Sequence, residues 1–104
     1  MVLIQVLLPT KSADRAAFSD ELIRQTREEL IGQFGGLTAY TRSPAAGVWT
    51  SPDGDIEEDN VVMIEVLAGT FDVRWWRSYA GKLKARFQQE TMLIRASEVQ
   101  LLDN

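Results

Sequence analysis

Gln5, Tyr40, Arg42, Glu65 and Arg95 are the residues whose types and spacing could hold chemistry in common. Gln5, Glu65 and Arg95 each sit at the centre of an apolar run, between Leu3 and Leu7, Met63 and Leu67, and Leu93 and Ser97. A polar residue at a strand end points naturally to solvent, whereas one in mid-strand among Leu, Met and Val needs a partner. Partly enclosed, a carboxylate and a guanidinium strengthen each other's interactions. The arginine then holds the anionic group of a ligand, and the carboxylate serves as a base where its pKa is tuned. The same side chains also admit a purely structural use, in which Glu65 pairs with Arg42 or Arg95 across a sheet and sets register and dimer specificity. Trp49 lies in a turn-rich stretch that does not itself need a large aromatic; it either clamps that stretch to its own domain or caps the mouth of a pocket.

Composition removes most other chemistries. The 104 residues contain no cysteine and no histidine, so there is no disulfide, thiolate nucleophile, imidazole base, Ser-His-Asp triad or Cys/His zinc site. A net charge of -4 argues against a general nucleic-acid surface. Trp75 and Trp76 stand among Arg74, Arg77, Lys82, Lys84 and Arg86, a mixture suited to single-stranded nucleic acid. One of two adjacent tryptophans on a helix must face the core, however, and an acid-rich helix carrying Asp14, Asp20, Glu21, Glu28 and Glu29 can complement the basic one. Asp53, Asp55, Glu57, Glu58 and Asp59 lack the alternation of a calcium loop and are read as a solvated turn. No metal and no cofactor are expected.

These candidates need elements to position them. Val2 to Leu8 is a Val, Ile and Leu run stopped by Pro9, the pattern of a strand buried on both faces. Ser12 caps a helix with Asp14 near its start and a stripe of Phe18, Leu22, Thr26, Leu30 and Phe34, ended by Gly35 and Gly36. A second strand is expected over Leu37 to Ser43, a loop or hairpin insertion over 44–60, and a third strand over Val61 to Leu67. A second helix carries Trp75 or Trp76, Tyr79, Leu83 and Phe87 at helical spacing, and a fourth strand runs from Thr91 to Ser97. The order βαββαβ with right-handed crossovers gives a single ferredoxin-like α+β domain over 1–104, with two helices on one face of a four-stranded sheet ordered fourth, first, third, second.

Strand parity sorts the side chains into two faces. Ile4, Val6, Leu8, Val62, Ile64, Val66, Met92, Ile94 and Ala96 form the face under the helices. Gln5, Tyr40, Arg42, Glu65 and Arg95 fall on the other, together with Leu3, Leu7, Val61, Met63, Leu67 and Leu93. Such an apolar patch calls for a cover, and a second copy of the same sheet is the simplest one, making a homodimer.

The segments Phe34 to Tyr40, Gly47 to Trp49, Val62 to Val66, Trp75 and Trp76, and Phe87 to Glu90 with Ile94 to Ala96 resemble a family of small bacterial proteins of unknown function. The element order is similar to the dimeric α+β barrel superfamily of cofactor-independent monooxygenases, muconolactone isomerases and stress-responsive proteins, and implies a dimeric barrel. Two function classes follow. One is a barrel that binds or transforms a small apolar or anionic organic ligand, through Gln5, Tyr40, Arg42, Trp49, Glu65 and Arg95. The other is an interaction or accessory module whose sheet face only dimerises. A cavity of about 300 Å³ or more beside Glu65 favours the first. The start of the chain, eight apolar residues running into Pro9, is read as a strand rather than an export signal; no segment is long enough to span a membrane, and a cytoplasmic location is expected.

Overall fold

The computed structural model describes residues 1–9, 20–50 and 56–102, with the side chains of 40–60 outside the described residues. The elements are β1 (Val2–Pro9), α1 (Asp20–Phe34), β2 (Thr38–Thr50), β3 (Ile56–Ala68), α2 (Val73–Phe87) and β4 (Ile94–Glu98). One sheet runs β2-β3-β1-β4 with every neighbouring pair antiparallel, the ferredoxin-like α+β arrangement expected from the element order.

Alternation in β1, and in β3 from Val62 onward, builds the core; Val61, assigned by parity to the open face, is buried as well. Ile4, Val6, Leu8, Val62, Ile64 and Val66 are buried under the helices, packed with Leu30 of α1 and Trp76, Tyr79, Leu83 and Phe87 of α2. Each helix has an identifiable stop or start. At the end of α1, Gly35 takes a φ of 87° and its N–H donates to the carbonyl of Ile31 at 2.7 Å. The Asp72 side chain opens α2 by accepting from the N–H of Trp75 at 3.1 Å. Ser12, Asp14 and Phe18, expected to begin the first helix, lie outside the described residues.

Three expectations change. β2 does not end at Ser43: it continues to Thr50 across a register shift between Tyr40 and Ala45, and β3 begins at Ile56. Pro44 lies within that shift, as it must, because it has no N–H to give a regular ladder. β1 pairs with β3 only from Val61 onward, so the outer parts of β2 and β3 extend past the sheet as a two-stranded ribbon. β4 begins at Ile94 rather than Thr91. Of the residues expected on its inner face, Met92 lies before the strand and is half-buried, Ile94 is half-buried and Ala96 is exposed, because a five-residue edge strand has a neighbour on one side only.

Candidate functional site

The antiparallel registers place one polar residue from each strand in a single row across the sheet. Thr38 is opposite Glu65, Glu65 opposite Gln5, and Gln5 opposite Arg95. The flanking rows are apolar on the inner strands: Leu3 opposite Leu67 on one side, and Leu7 opposite Met63 on the other, with the N–H of Leu7 bonded to the carbonyl of Leu93. All lie on the face away from the helices, where Leu67 is 43 % and Leu93 54 % exposed while Leu3, Leu7 and Met63 are half-buried.

The row is wired. Gln5 Nε2 donates to Glu65 Oε2 at 2.7 Å, and Arg95 Nε donates to Gln5 Oε1 at 2.6 Å. The flanking charges fix the amide's orientation, since the carboxylate only accepts and the guanidinium only donates. Gln5 therefore couples an acid on β3 to a cation on β4 through two charge-assisted hydrogen bonds. Glu65 and Arg95 share a face but do not pair directly.

Beside Glu65 lies a groove of about 450 Å³, open on one side, between the sheet and the turn that follows α1; Leu3, Phe34, Leu37, Thr38, Glu65 and Leu67 contribute to its walls. A second groove of about 480 Å³ around Trp75 and Trp76 has one carboxylate, Asp72, which is committed to capping α2. A third, of about 360 Å³, contains Glu29 and Tyr79, which are bonded to each other. The Glu65 groove thus carries the acid connected to the polar row. Of the remaining candidates, Tyr40 lies opposite Met63 in the backbone register, Arg42 falls within the register shift, and Trp49 lies opposite Glu57. The side chains of all three are outside the described residues.

Among the described residues a larger polar cluster lies on the helix side, where the acid-rich and basic helices meet. Arg86, with its side chain 9 % exposed, donates from Nη1 and Nη2 to the two carboxylate oxygens of Glu29, both at 2.8 Å, and from Nη1 to Thr26 Oγ1 at 2.8 Å. The Tyr79 hydroxyl donates to Glu29 Oε1 at 2.9 Å, and the Thr26 hydroxyl to the carbonyl of Leu22 at 2.9 Å. The hydrogen bonds from Arg86 hold the Glu29 carboxyl below the usual carboxylate range, against a smaller opposing effect of burial. Burial, reinforced by the adjacent Glu29 carboxylate, pushes the Tyr79 hydroxyl well above the usual phenol. This satisfied network fastens α2 to α1. The sequence signal for it is Thr26, a hydroxyl inside an apolar stripe: it is fully buried, donates to Leu22 of its own helix, and leaves its oxygen free to accept from Arg86.

No family model and no curated protein matches this chain. Solved structures do. The chain is similar in fold to CutA1. The divalent cation tolerance protein CutA1 of Thermus thermophilus aligns with a TM-score of 0.66 at 14 % identity, over 99 % of this chain and 88 % of that one. A point variant of CutA1 from Pyrococcus horikoshii aligns at 0.63, with 14 % identity over 99 % and 87 %. A phage SAM lyase in complex with S-methyl-5'-thioadenosine aligns at 0.63, with 17 % identity over 93 % and 80 %. At these identities the likeness establishes the ferredoxin-like α+β fold. Among the described residues there is no cluster of three or more metal-ligating side chains and no helix long and apolar enough to cross a membrane.

Proposed function

We propose that this protein is a homodimeric binding barrel: a second copy covers the open sheet face, and a small organic ligand with an apolar body and an anionic group sits between the sheets. The observation that carries the reading is the wired row of Glu65, Gln5 and Arg95 between apolar rows, beside a groove large enough for a small molecule. Leu3, Leu67 and Phe34 supply apolar contact in the groove, and Arg95, at the other end of the polar row and outside the groove's walls, supplies the cation. A phage SAM lyase of this fold is in complex with S-methyl-5'-thioadenosine, so a small-molecule occupant is within the range of the fold. A single domain over 1–104 with Tyr40, Arg42 and Trp49 near the same face belongs to this proposal, as does a cytoplasmic location.

A thermal-shift screen of aromatic and aliphatic carboxylates tests it. The expected result is a stabilising hit whose affinity falls roughly 10- to 150-fold in Arg95→Ala, the equivalent of about 1.5 to 3 kcal/mol for a charge-assisted hydrogen bond. A dimer that binds none of them, or binds them equally well without Arg95, favours the module whose sheet face only dimerises.

A further inference from the structure

We propose that the groove at the start of α2 is a second ligand site, which takes an uncharged, planar, amino-substituted heteroaromatic ring stacked on the open face of Trp75. The site goes beyond the ligand reading above, since no member of the polar row belongs to its walls.

The rings supply the first argument. Trp75 and Tyr79 stand one helical turn apart, and their rings stack at 5.0 Å with 19° between the planes. That stack covers the face of Trp75 turned along α2 toward its C-terminal end and leaves the other face turned toward the helix start. Phe34 and Trp76 meet Trp75 nearly at right angles, at 5.2 and 4.8 Å, and are themselves stacked on each other at 5.4 Å. Among the described residues no ring therefore lies parallel to Trp75 on its second side. The groove of about 480 Å³ stands on that side, because Thr70 and Asp72 at the entry to α2 belong to its walls and Tyr79 does not. A half-buried indole with one open face offers a flat ring an offset stack.

The polar groups of the walls select the kind of ring. Asp72 caps α2 through Oδ1, and its Oδ2 accepts no hydrogen bond among the described residues. Gln33 and Thr70, both exposed, also hold none among the described residues. The walls thus offer acceptors on Asp72, Gln33 and Thr70 and donors on the last two. No Lys or Arg contributes to them, and the Met1 ammonium is paired with Glu98 at 3.7 Å, so a phosphate or carboxylate finds no side chain to neutralise it. A cation is no better served, since the Asp72 carboxylate already offsets the positive end of α2. An uncharged ring with an amino group meets both conditions: the amine donates to Asp72 Oδ2, and the ring nitrogens accept from Gln33 or Thr70.

Titration of the full chain with adenine, followed by tryptophan emission, tests the site, with purine, which lacks the amino group, as the matched control. Adenine is expected to quench saturably and purine to bind roughly tenfold more weakly or worse. Asp72→Asn keeps a good helix cap while removing the anionic acceptor, and is expected to lose roughly tenfold in affinity for adenine and little for purine. Trp75→Leu removes the open face and is expected to abolish binding of both; Asp72→Asn carries the test should that variant fail to fold. Emission unmoved by adenine up to its solubility limit overturns the proposal, as do equal affinities for adenine and purine or an Asp72→Asn protein that binds adenine like the wild type. Quenching that survives in folded Trp75→Leu puts the ring elsewhere and overturns it too. Emission that is indifferent to adenine but shifts with protein concentration assigns the groove to a second copy of the chain instead. None of these results bears on the polar row, which the carboxylate screen tests separately.

Discussion

Removing the Glu29 carboxylate is the sharpest test of how α2 is held. In Glu29→Ala, Arg86 loses both of its 2.8 Å bonds to Glu29 and Tyr79 loses its 2.9 Å acceptor. What remains for Arg86 is Thr26 Oγ1, and for Tyr79 a long 3.4 Å contact to the Thr26 carbonyl. Stranding a fully buried charge costs about 3 to 5 kcal/mol and breaking a surface pair about 0 to 1. The Arg86 side chain is 9 % and the Glu29 side chain 30 % exposed, so water partly compensates and the cost is about 2 to 3 kcal/mol. For a domain of this size that lowers Tm by roughly 10 to 20 °C. Replacing both partners, as Glu29→Leu with Arg86→Met, leaves no buried charge stranded and is expected to recover most of the loss. The pH dependence has a defined sign. A carboxyl whose pKa is lowered by folding contributes stability above its unfolded value and loses it as pH falls through the folded one. The wild type should therefore lose stability as pH drops below the usual carboxylate range, and Glu29→Gln should lose less. Thermal denaturation followed by circular dichroism across that range checks both. A drop in Tm of under about 4 °C for Glu29→Ala, equivalent to under 1 kcal/mol, or a double variant as unstable as the sum of its singles, would refute the reasoning.

Phe87, fully buried, should cost about 3 to 5 kcal/mol on change to Ala, read from urea denaturation. Gln88 closes α2 with a φ of 54°, so Gln88→Gly should raise stability by roughly 0.5 to 1 kcal/mol in the same assay. Met63→Asp places a charge in the apolar row next to Glu65 and should give monomeric or insoluble protein by size-exclusion chromatography.

The fold was legible because β1, and β3 from Val62, alternate: once Ile4 and Ile64 are assigned inward, Gln5 and Glu65 must share the other face, and β4 brings Arg95 to the same row. Parity reports the face and not the register, and only the register shows Gln5 standing between Glu65 and Arg95; the pairing of Glu65 with Arg42 falls outside the described residues. The length of β2 was hidden by Pro44, which ends a regular ladder but is accommodated at a bulge. The Glu29, Tyr79 and Arg86 network was hidden differently. The opposite charges of the two helices suggested general complementarity, but which pair meets depends on how α1 and α2 rotate against the sheet, and a single helix's periodicity does not contain that.

Sedimentation equilibrium of the wild-type chain at micromolar concentration bears most directly on the covered sheet face. The expected species has twice the chain mass of 11.7 kDa, dissociating in Met63→Asp. A wild-type protein that sediments at the mass of a single chain, with Leu3, Leu67 and Leu93 left to water, would contradict it.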